Sequence, residues 1–380
     1  MELYFEPLNI LARISKEATP EMSEWQSAYL CGLIREYSPR KILEVGVAAG
    51  GTTALILNTL SMINCKAEVW SVDILEDYYA KPWLKTGFMA EDAKNIIRTD
   101  NIKHTLKIRL VPEVIDDIGD GIDFLILDTV HMVPGELLDF PICLPYLKED
   151  AIVVLHDVIL HATSVYTNNY ATQLLLNCVT AEKKPVFGYD NEIGYPNIAA
   201  FMVNQDTRKY IYDVFSAMLL PWQYSVPETE LIIYKEKYTQ LGYSEECLEV
   251  FEKAQIANKR IERQKRENKI NRSKIIAKTY KSIAGKDVFI YGAGEVGHYI
   301  YELFSDVINF KGYVVSDGQP RTEGALFFSE AKNIISDGDL IFVAMSPDKM
   351  NQIRSIITES QVKNVEYIDQ NLFSLIYDYS

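Results

Sequence analysis

Two rhythms of apolar and polar positions run along this chain. An opening stretch from Pro20 to Tyr37 repeats at helical spacing, with Trp25, Tyr29, Leu33 and Ile34 on one face. Thr19 is placed to cap that helix, with Pro20 in its first turn. From Lys41 the pattern changes to short apolar runs. Ile42–Gly46, Glu68–Val72, Leu106–Leu110, Phe124–Asp128 and Ile152–His156 predict strands, and the helix-compatible segments Thr52–Leu60, Ala90–Thr99 and Gly135–Leu147 lie among them. Near-continuous apolar strands alternating with helices predict a mostly parallel sheet covered on both faces. Ile198–Val203 and Glu230–Tyr234, separated by a helix-like Thr207–Leu220, predict a closing antiparallel pair.

The rhythm restarts near the end. Val288–Tyr291, Gly312–Val315, Leu340–Ala344 and Val365–Ile368 predict about four more strands. At 380 residues the chain is long enough for two cores. We expect a first α/β domain over 1–245, a helical linker over 246–285 and a smaller Rossmann-like α/β domain over 286–380. The net charge is −15, but residues 252–286 hold twelve Lys or Arg against three acids, so the connector is basic between two acidic domains. Such an acidic surface argues against nucleic acid as a partner. No apolar stretch is long enough for a membrane span. Five scattered cysteines without a CxxC pair, and Glu2 and Glu6 near the start, predict reduced thiols and a cytoplasmic location. A homo-oligomer is left open.

The chemistry begins at Glu44-Val45-Gly46-Val47-Ala48-Ala49-Gly50-Gly51-Thr52-Thr53, where a strand runs through a glycine-rich turn into a helix. Gly50 and Gly51 let a ligand approach the helix N-terminus closely. The spacing is not GxGxxG, and no lysine follows as a P-loop requires. Glu44 would repel a pyrophosphate and tolerate a cationic amino or sulfonium ligand. Asp73, at the end of the second strand, is placed to accept ribose hydroxyls. Later, Asp128, His131, His156 and Asp157 gather at the tips of two strands. Two carboxylates and an imidazole there suit a divalent ion such as Mg²⁺ or Mn²⁺, and His131 suits a general base with a pKa near neutrality. Each histidine alone could equally be a capping or core residue.

These motifs resemble the class I S-adenosylmethionine-dependent methyltransferases. The form EVGVAAGGTT is most similar to the branch that includes metal-dependent sugar O-methyltransferases. The resemblance covers about residues 30–205 and implies a seven-stranded class I sheet. It implies that Glu44, Gly46, Gly50, Gly51 and Thr52 surround the methionine part of S-adenosylmethionine, that Asp73 binds ribose and Ile74 packs on adenine. The adenine amino contact would fall near Pro112–Val114. Asp128, His156 and Asp157 would hold the metal, with Asp128 and His131 at the reaction centre. His156 departs from the acid pair that the family commonly places there, and a His favours a softer ion than Mg²⁺. His161 reads as a loop residue, and His104 has no assigned role. An aromatic loop over Phe187–Pro196, with Tyr166–Tyr170, is expected to lie over a sugar acceptor or to pack only on itself.

A second glycine loop, Tyr291-Gly292-Ala293-Gly294-Glu295-Val296-Gly297, is a full GxGxxG with Asp317 twenty residues beyond Gly297. The segment 286–370 resembles small nucleotide-binding units of bacterial sugar-modifying enzymes, which implies a nucleotide or nucleotide-sugar ligand, or a docking role. The three glycines could also serve helix–strand packing alone. The sequence thus predicts a methyltransferase acting on a sugar or nucleotide-sugar hydroxyl. Its alternatives are an NAD-dependent nucleotide-sugar oxidoreductase built on the second loop, and a non-catalytic scaffold with a degenerate methyltransferase fold.

Overall fold

The computed structural model describes residues 2–19, 21–162, 168–184, 197–319, 324–360, 362–370 and 372–373. They form two compact units, Met1–Lys259 and Arg260–Ser380.

The first unit is built on seven strands: β1 (Lys41–Val45), β2 (Ala67–Asp73), β3 (Ile102–Ile108), β4 (Ile122–Leu127), β5 (Leu147–His156), β6 (Glu182–Lys184) and β7 (Ile198–Met202). Their order is β3-β2-β1-β4-β5-β7-β6, parallel except for β7, which runs antiparallel to both its neighbours. This is the expected seven-stranded class I sheet. Alternate residues feed two cores. Leu43, Leu125 and Val153 face one side, while Ile42, Phe124 and Ile152 face the other. All six are fully buried, and each contributes about 1.5–3 kcal/mol by leaving water.

Helices α1 (Glu24–Tyr37) and α2 (Gly51–Met62) cover the second face, and the short α3 (Phe88–Lys94) lies against α2. On the first face lie α4 (Val111–Ile118), α5 (Gly135–Cys143), α6 (Ala171–Cys178), the short α7 (Gln205–Lys209), α8 (Tyr212–Ala217) and α9 (Glu228–Gln240). The first helix starts later than the sequence suggested. Ser23, rather than Thr19, is its N-cap, and Ser23 and Gln26 form a reciprocal capping box. Pro20 lies outside the described residues.

The expected strand Glu230–Tyr234 is part of α9 instead. Leu231, Tyr234 and Tyr238 are buried at helical spacing while Ile232 is 51% exposed, a pattern that no alternating strand allows. Its β-branched pair misled the strand reading, and tertiary packing on α5 decided the outcome. The antiparallel partners of β7 are β5 and the short β6.

A single 39-residue helix, α10 (Glu245–Ile283), contains the boundary between the units. The second unit holds β8 (Asp287–Tyr291), α11 (Glu295–Phe304), β9 (Asn309–Val315), β10 (Ala325–Phe327), α12 (Phe328–Ala331), β11 (Leu340–Val343), α13 (Pro347–Glu359) and β12 (Val365–Tyr367). Its five parallel strands lie in the order β10-β9-β8-β11-β12, one more than the sequence pattern suggested, because the three-residue β10 is too short to show a period. Among the described residues, no helix is long and apolar enough to cross a membrane.

Candidate active site

The carboxyl ends of β1, β2, β4 and β5 open onto one cavity of about 780 Å³. Gly46 fixes its floor. With φ +92° it leaves β1 in the left-handed region, and a Cβ there would lie 1.8 Å from the Asp128 carbonyl oxygen. The loop therefore lies directly on the tip of β4. Gly50 answers to packing instead: its added Cβ would meet Gly87 Cα at 2.8 Å, and it does not line the cavity. Gly51 and Thr52 line a small adjoining recess with Val47 and Ala48.

Asp73 holds this loop from the tip of β2. Its Oδ2 accepts the N–H groups of Val47 (2.9 Å) and Ala48 (3.0 Å), and its Oδ1 accepts that of Leu75 (2.9 Å). A carboxylate has further lone pairs for two hydroxyls. Ile74, 61% exposed, stands at the cavity rim.

Glu44 departs from its expected place. It is fully buried and does not line the cavity, and its Oε2 accepts the hydroxyls of Thr53 (2.7 Å) and Ser71 (2.6 Å). Burial pushes its carboxyl up to about 7. Ser71 Oγ also lies 3.0 Å from His104 Nε2, and burial takes that imidazole down to about 4. Of the segment expected at the adenine amino group, neither Pro112 nor Val114 lines the cavity. Both are buried at the start of α4, and Val111 is the lining residue.

The four strand-tip residues do converge. Asp128, His131, His156 and Asp157 each offer a donor atom within 4.8 Å of the others. His156 Nδ1 is 2.9 Å from Asp128 Oδ1, and His131 Nε2 is 3.4 Å from Asp128 and 3.2 Å from Asp157 Oδ2. His131 and Asp157 both sit at φ +57°, a strained conformation that non-glycine residues keep mostly at functional sites. His161, in a short 3-10 turn, stays outside this group.

Three residues that the motifs did not reveal complete the arrangement. Gln26 Oε1 accepts the Ser23 N–H in the capping box, so the atom 3.0 Å from His156 Nε2 is an acceptor. Nε2 therefore carries a proton, and Nδ1, facing the Asp128 carboxylate, donates as well; burial opposes charge on this ring, but Asp128 and Asp157 outweigh it and raise its pKa. The Ser-x-x-Gln spacing was a legible signal. Asn197 donates to Asp157 Oδ1. Glu136, fully buried, accepts the N–H groups of Thr129 and His131 and lies 3.0 Å from His131 Nδ1. Nothing in the sequence marked it.

Burial works against charge on His131, but Glu136, Asp128 and Asp157 outweigh it and push the imidazole up to about 9. The near-neutral base expected from the sequence is therefore a charged imidazolium in this setting. Burial likewise opposes ionisation of Asp128, yet the His156 and His131 rings hold its carboxyl below the usual range. Asp128, Asp157 and His156 offer two carboxylates and an imidazole within 4.8 Å of one another, a donor set that fits a divalent cation of the Mn²⁺, Fe²⁺ or Zn²⁺ kind once the imidazole gives up its inward proton. Glu21 closes over this end, accepting the Tyr79 hydroxyl at 2.8 Å.

In the second unit, a Cβ on Gly297 would lie 1.8 Å from the Gly292 carbonyl oxygen, so this glycine seats α11 on its loop. Gly294 faces open space. Asp317 turns to α12, where its Oδ1 accepts the Ser329 hydroxyl at 2.6 Å and its Oδ2 the Ser329 N–H at 3.2 Å. The expected lid over Phe187–Pro196, and Tyr166 with it, lie outside the described residues.

The strand order, the glycine loop lying on β4 and the acid at the tip of β2 are the arrangement of the class I methyltransferase fold. Residues 43–158 match the family model described as a methyltransferase domain. No curated protein matches the chain in sequence. Solved structures similar to it include an O-methyltransferase from Bacillus cereus in complex with S-adenosylhomocysteine, 17% identical over 52% of this chain and 89% of that one, with a TM-score of 0.34. A Podospora anserina methyltransferase bound to S-adenosylhomocysteine is 14% identical over 52% and 85%, with a TM-score of 0.37. An O-methyltransferase from Streptomyces achromogenes involved in tomaymycin synthesis, in complex with S-adenosylmethionine, is 15% identical over 52% and 90%, with a TM-score of 0.35.

Proposed function

We propose that this protein is an S-adenosylmethionine-dependent O-methyltransferase whose acceptor is a sugar hydroxyl. The observation that carries the reading is one cavity joining the Gly46 loop and Asp73 to the cluster of Asp128, His131 and Asp157. The methionine part of the cofactor lies along Gly46–Ala48 and the Gly51–Thr52 start of α2. The ribose meets Asp73, and Ile74 covers the adenine. The acceptor enters beside Glu21 and Asn169, both polar and both in the cavity wall, which suits a polyhydroxylated ring better than a flat apolar one.

Asp128, His156 and Asp157 would hold a divalent cation, which when bound supplies Lewis-acid polarisation of the acceptor oxygen. The protein's own work is positioning and proton transfer. The acceptor oxygen attacks the sulfonium methyl, S-adenosylhomocysteine leaves, and the hydroxyl proton passes to His131 Nε2, the atom that faces both aspartates. His131 does this from its neutral form. Glu136 first, then Asp128 and Asp157, count against that form, and a cation held by the two aspartates would offset them.

For the second unit we propose a nucleotide or nucleotide-sugar over Gly294, with Asp317 releasing Ser329 to meet a ribose. The test is a screen of sugars and nucleotide-sugars with methyl-labelled S-adenosylmethionine. Label on a sugar oxygen is expected. Label on a nitrogen or a phenol, or no transfer at all, overturns the acceptor assignment.

A further inference from the structure

Helix α10 presents a charge-segregated face to solvent. Its first third docks into the core of the first unit through Cys247, Val250, Phe251 and Ala254. Another face shows Glu249, Glu252, Ile256, Lys259, Arg263 and Arg266, and all six are exposed. Alternating steps of three and four residues keep them on one side of the helix. The acids come first, an isoleucine that is 53% exposed stands next, and the bases follow. Glu249 pairs with Lys253 at 2.8 Å, Glu252 with Lys235 at 2.5 Å and Lys259 with Glu228 at 2.9 Å. Pairs this open to water are weak and exchange readily. Arg263 and Arg266 have no ion pair with a described residue, although they stand one turn apart with like charge.

We infer that two copies of this chain associate through α10, with the two helices antiparallel about a two-fold axis between Ala257 and Asn258. In that register Glu249 stands opposite Arg266 of the partner subunit and Glu252 opposite Arg263 of the partner subunit. The symmetry forms each pair twice. Ile256, beside the axis, packs on the aliphatic stem of Lys259 of the partner subunit. A parallel pairing would set acid against acid and Arg263 against its own copy, so the charge order selects the antiparallel one. It also selects a second copy over an unrelated polyanion. A uniformly acidic partner would meet Glu249 and Glu252 at one end, whereas the reverse of this face completes it along its whole length. With one apolar position among six, charge drives the association, and salt weakens it.

The test is sedimentation velocity of the full chain. The wild type is expected to dimerise in about 0.1 M salt and to bind itself roughly 10-fold or more weakly in about 1 M salt, where the screening length falls to about 3 Å. Arg263→Glu with Arg266→Glu makes both ends of the face acidic, and Glu249→Arg with Glu252→Arg makes both ends basic. Each double variant alone is expected to be monomeric. Mixed together they should form a heterodimer, and all four exchanges in one chain should restore the homodimer. A wild type that stays monomeric overturns the inference. So does a dimer that survives Arg263→Glu with Arg266→Glu, or a mixture of the two variants that does not associate. Rescue on mixing separates lost pairing from lost folding, because a misfolded chain gains nothing from its complement.

Discussion

The chain contains two strand–glycine-loop–helix turns, and their acids behave differently. At the first, Asp73 reaches back to the loop and takes two of its N–H groups, beside a cavity that continues to a charged strand-tip cluster. At the second, Asp317 reaches forward and caps Ser329 at the start of α12. The second motif fits the dinucleotide fingerprint better by spacing, yet the first is the one whose acid organises its loop. Glycine spacing reports close backbone packing. What the neighbouring acid holds says more about a ligand.

The largest effect that would break this contrast comes from the cluster. Asp128→Ala removes a proposed metal ligand and the carboxylate that both imidazoles share. It is expected to lower kcat by about 10²–10⁴-fold, with S-adenosylhomocysteine affinity changed little, as labelled-methyl kinetics and calorimetry would read. Near-normal turnover would remove the cluster from the chemistry. Treatment with EDTA should abolish transfer, and Mn²⁺ or Mg²⁺ should restore it. Full activity in EDTA would leave Asp128 and Asp157 as partners of the two imidazoles alone.

Next in size is Gly46→Ala. Its methyl cannot coexist with the Asp128 carbonyl at 1.8 Å, so the loop must lift from β4. We expect about 2–4 kcal/mol of lost stability in urea unfolding, together with loss of cofactor binding. A variant that binds normally would contradict the loop geometry.

The smallest effect sharpens the account of Glu44. Its folded pKa is raised to about 7 from an ordinary 4.5, so both folded and unfolded states are protonated below pH 4.5. As pH rises toward 7 the unfolded carboxyl ionises first, and stability falls by roughly 3 kcal/mol before levelling off. Glu44→Gln should flatten that part of the urea-midpoint profile between pH 4.5 and 8. An unchanged profile would show that Glu44 is ionised inside the fold.

Much of this was legible in sequence. Continuous apolar runs marked β1, β2, β4 and β5, because strands buried on both faces leave no polar alternation. The convergence of Asp128, His131, His156 and Asp157 followed from their places at parallel strand ends. Other features depended on contacts between distant residues. Glu230–Tyr234 has a strand's composition and a helix's environment. Glu44 looked like a ligand residue because it adjoins the glycines, but its side chain points between β2 and α2. Glu136 and Asp139 sit in an apolar helix pattern that gives no sign of which acids face His131 or the cavity. The His131 charge follows from Glu136, so a pKa near neutrality could not be corrected from the motif alone.

The central claim is that S-adenosylmethionine binds at the Asp73 loop of the first unit. Calorimetry of the full chain with S-adenosylhomocysteine tests it most directly, using the wild type, Asp73→Ala and Asp317→Ala. We predict one site per chain, weakened at least 10-fold by Asp73→Ala and unchanged by Asp317→Ala. Binding that is indifferent to Asp73→Ala, or lost in Asp317→Ala, would contradict the account.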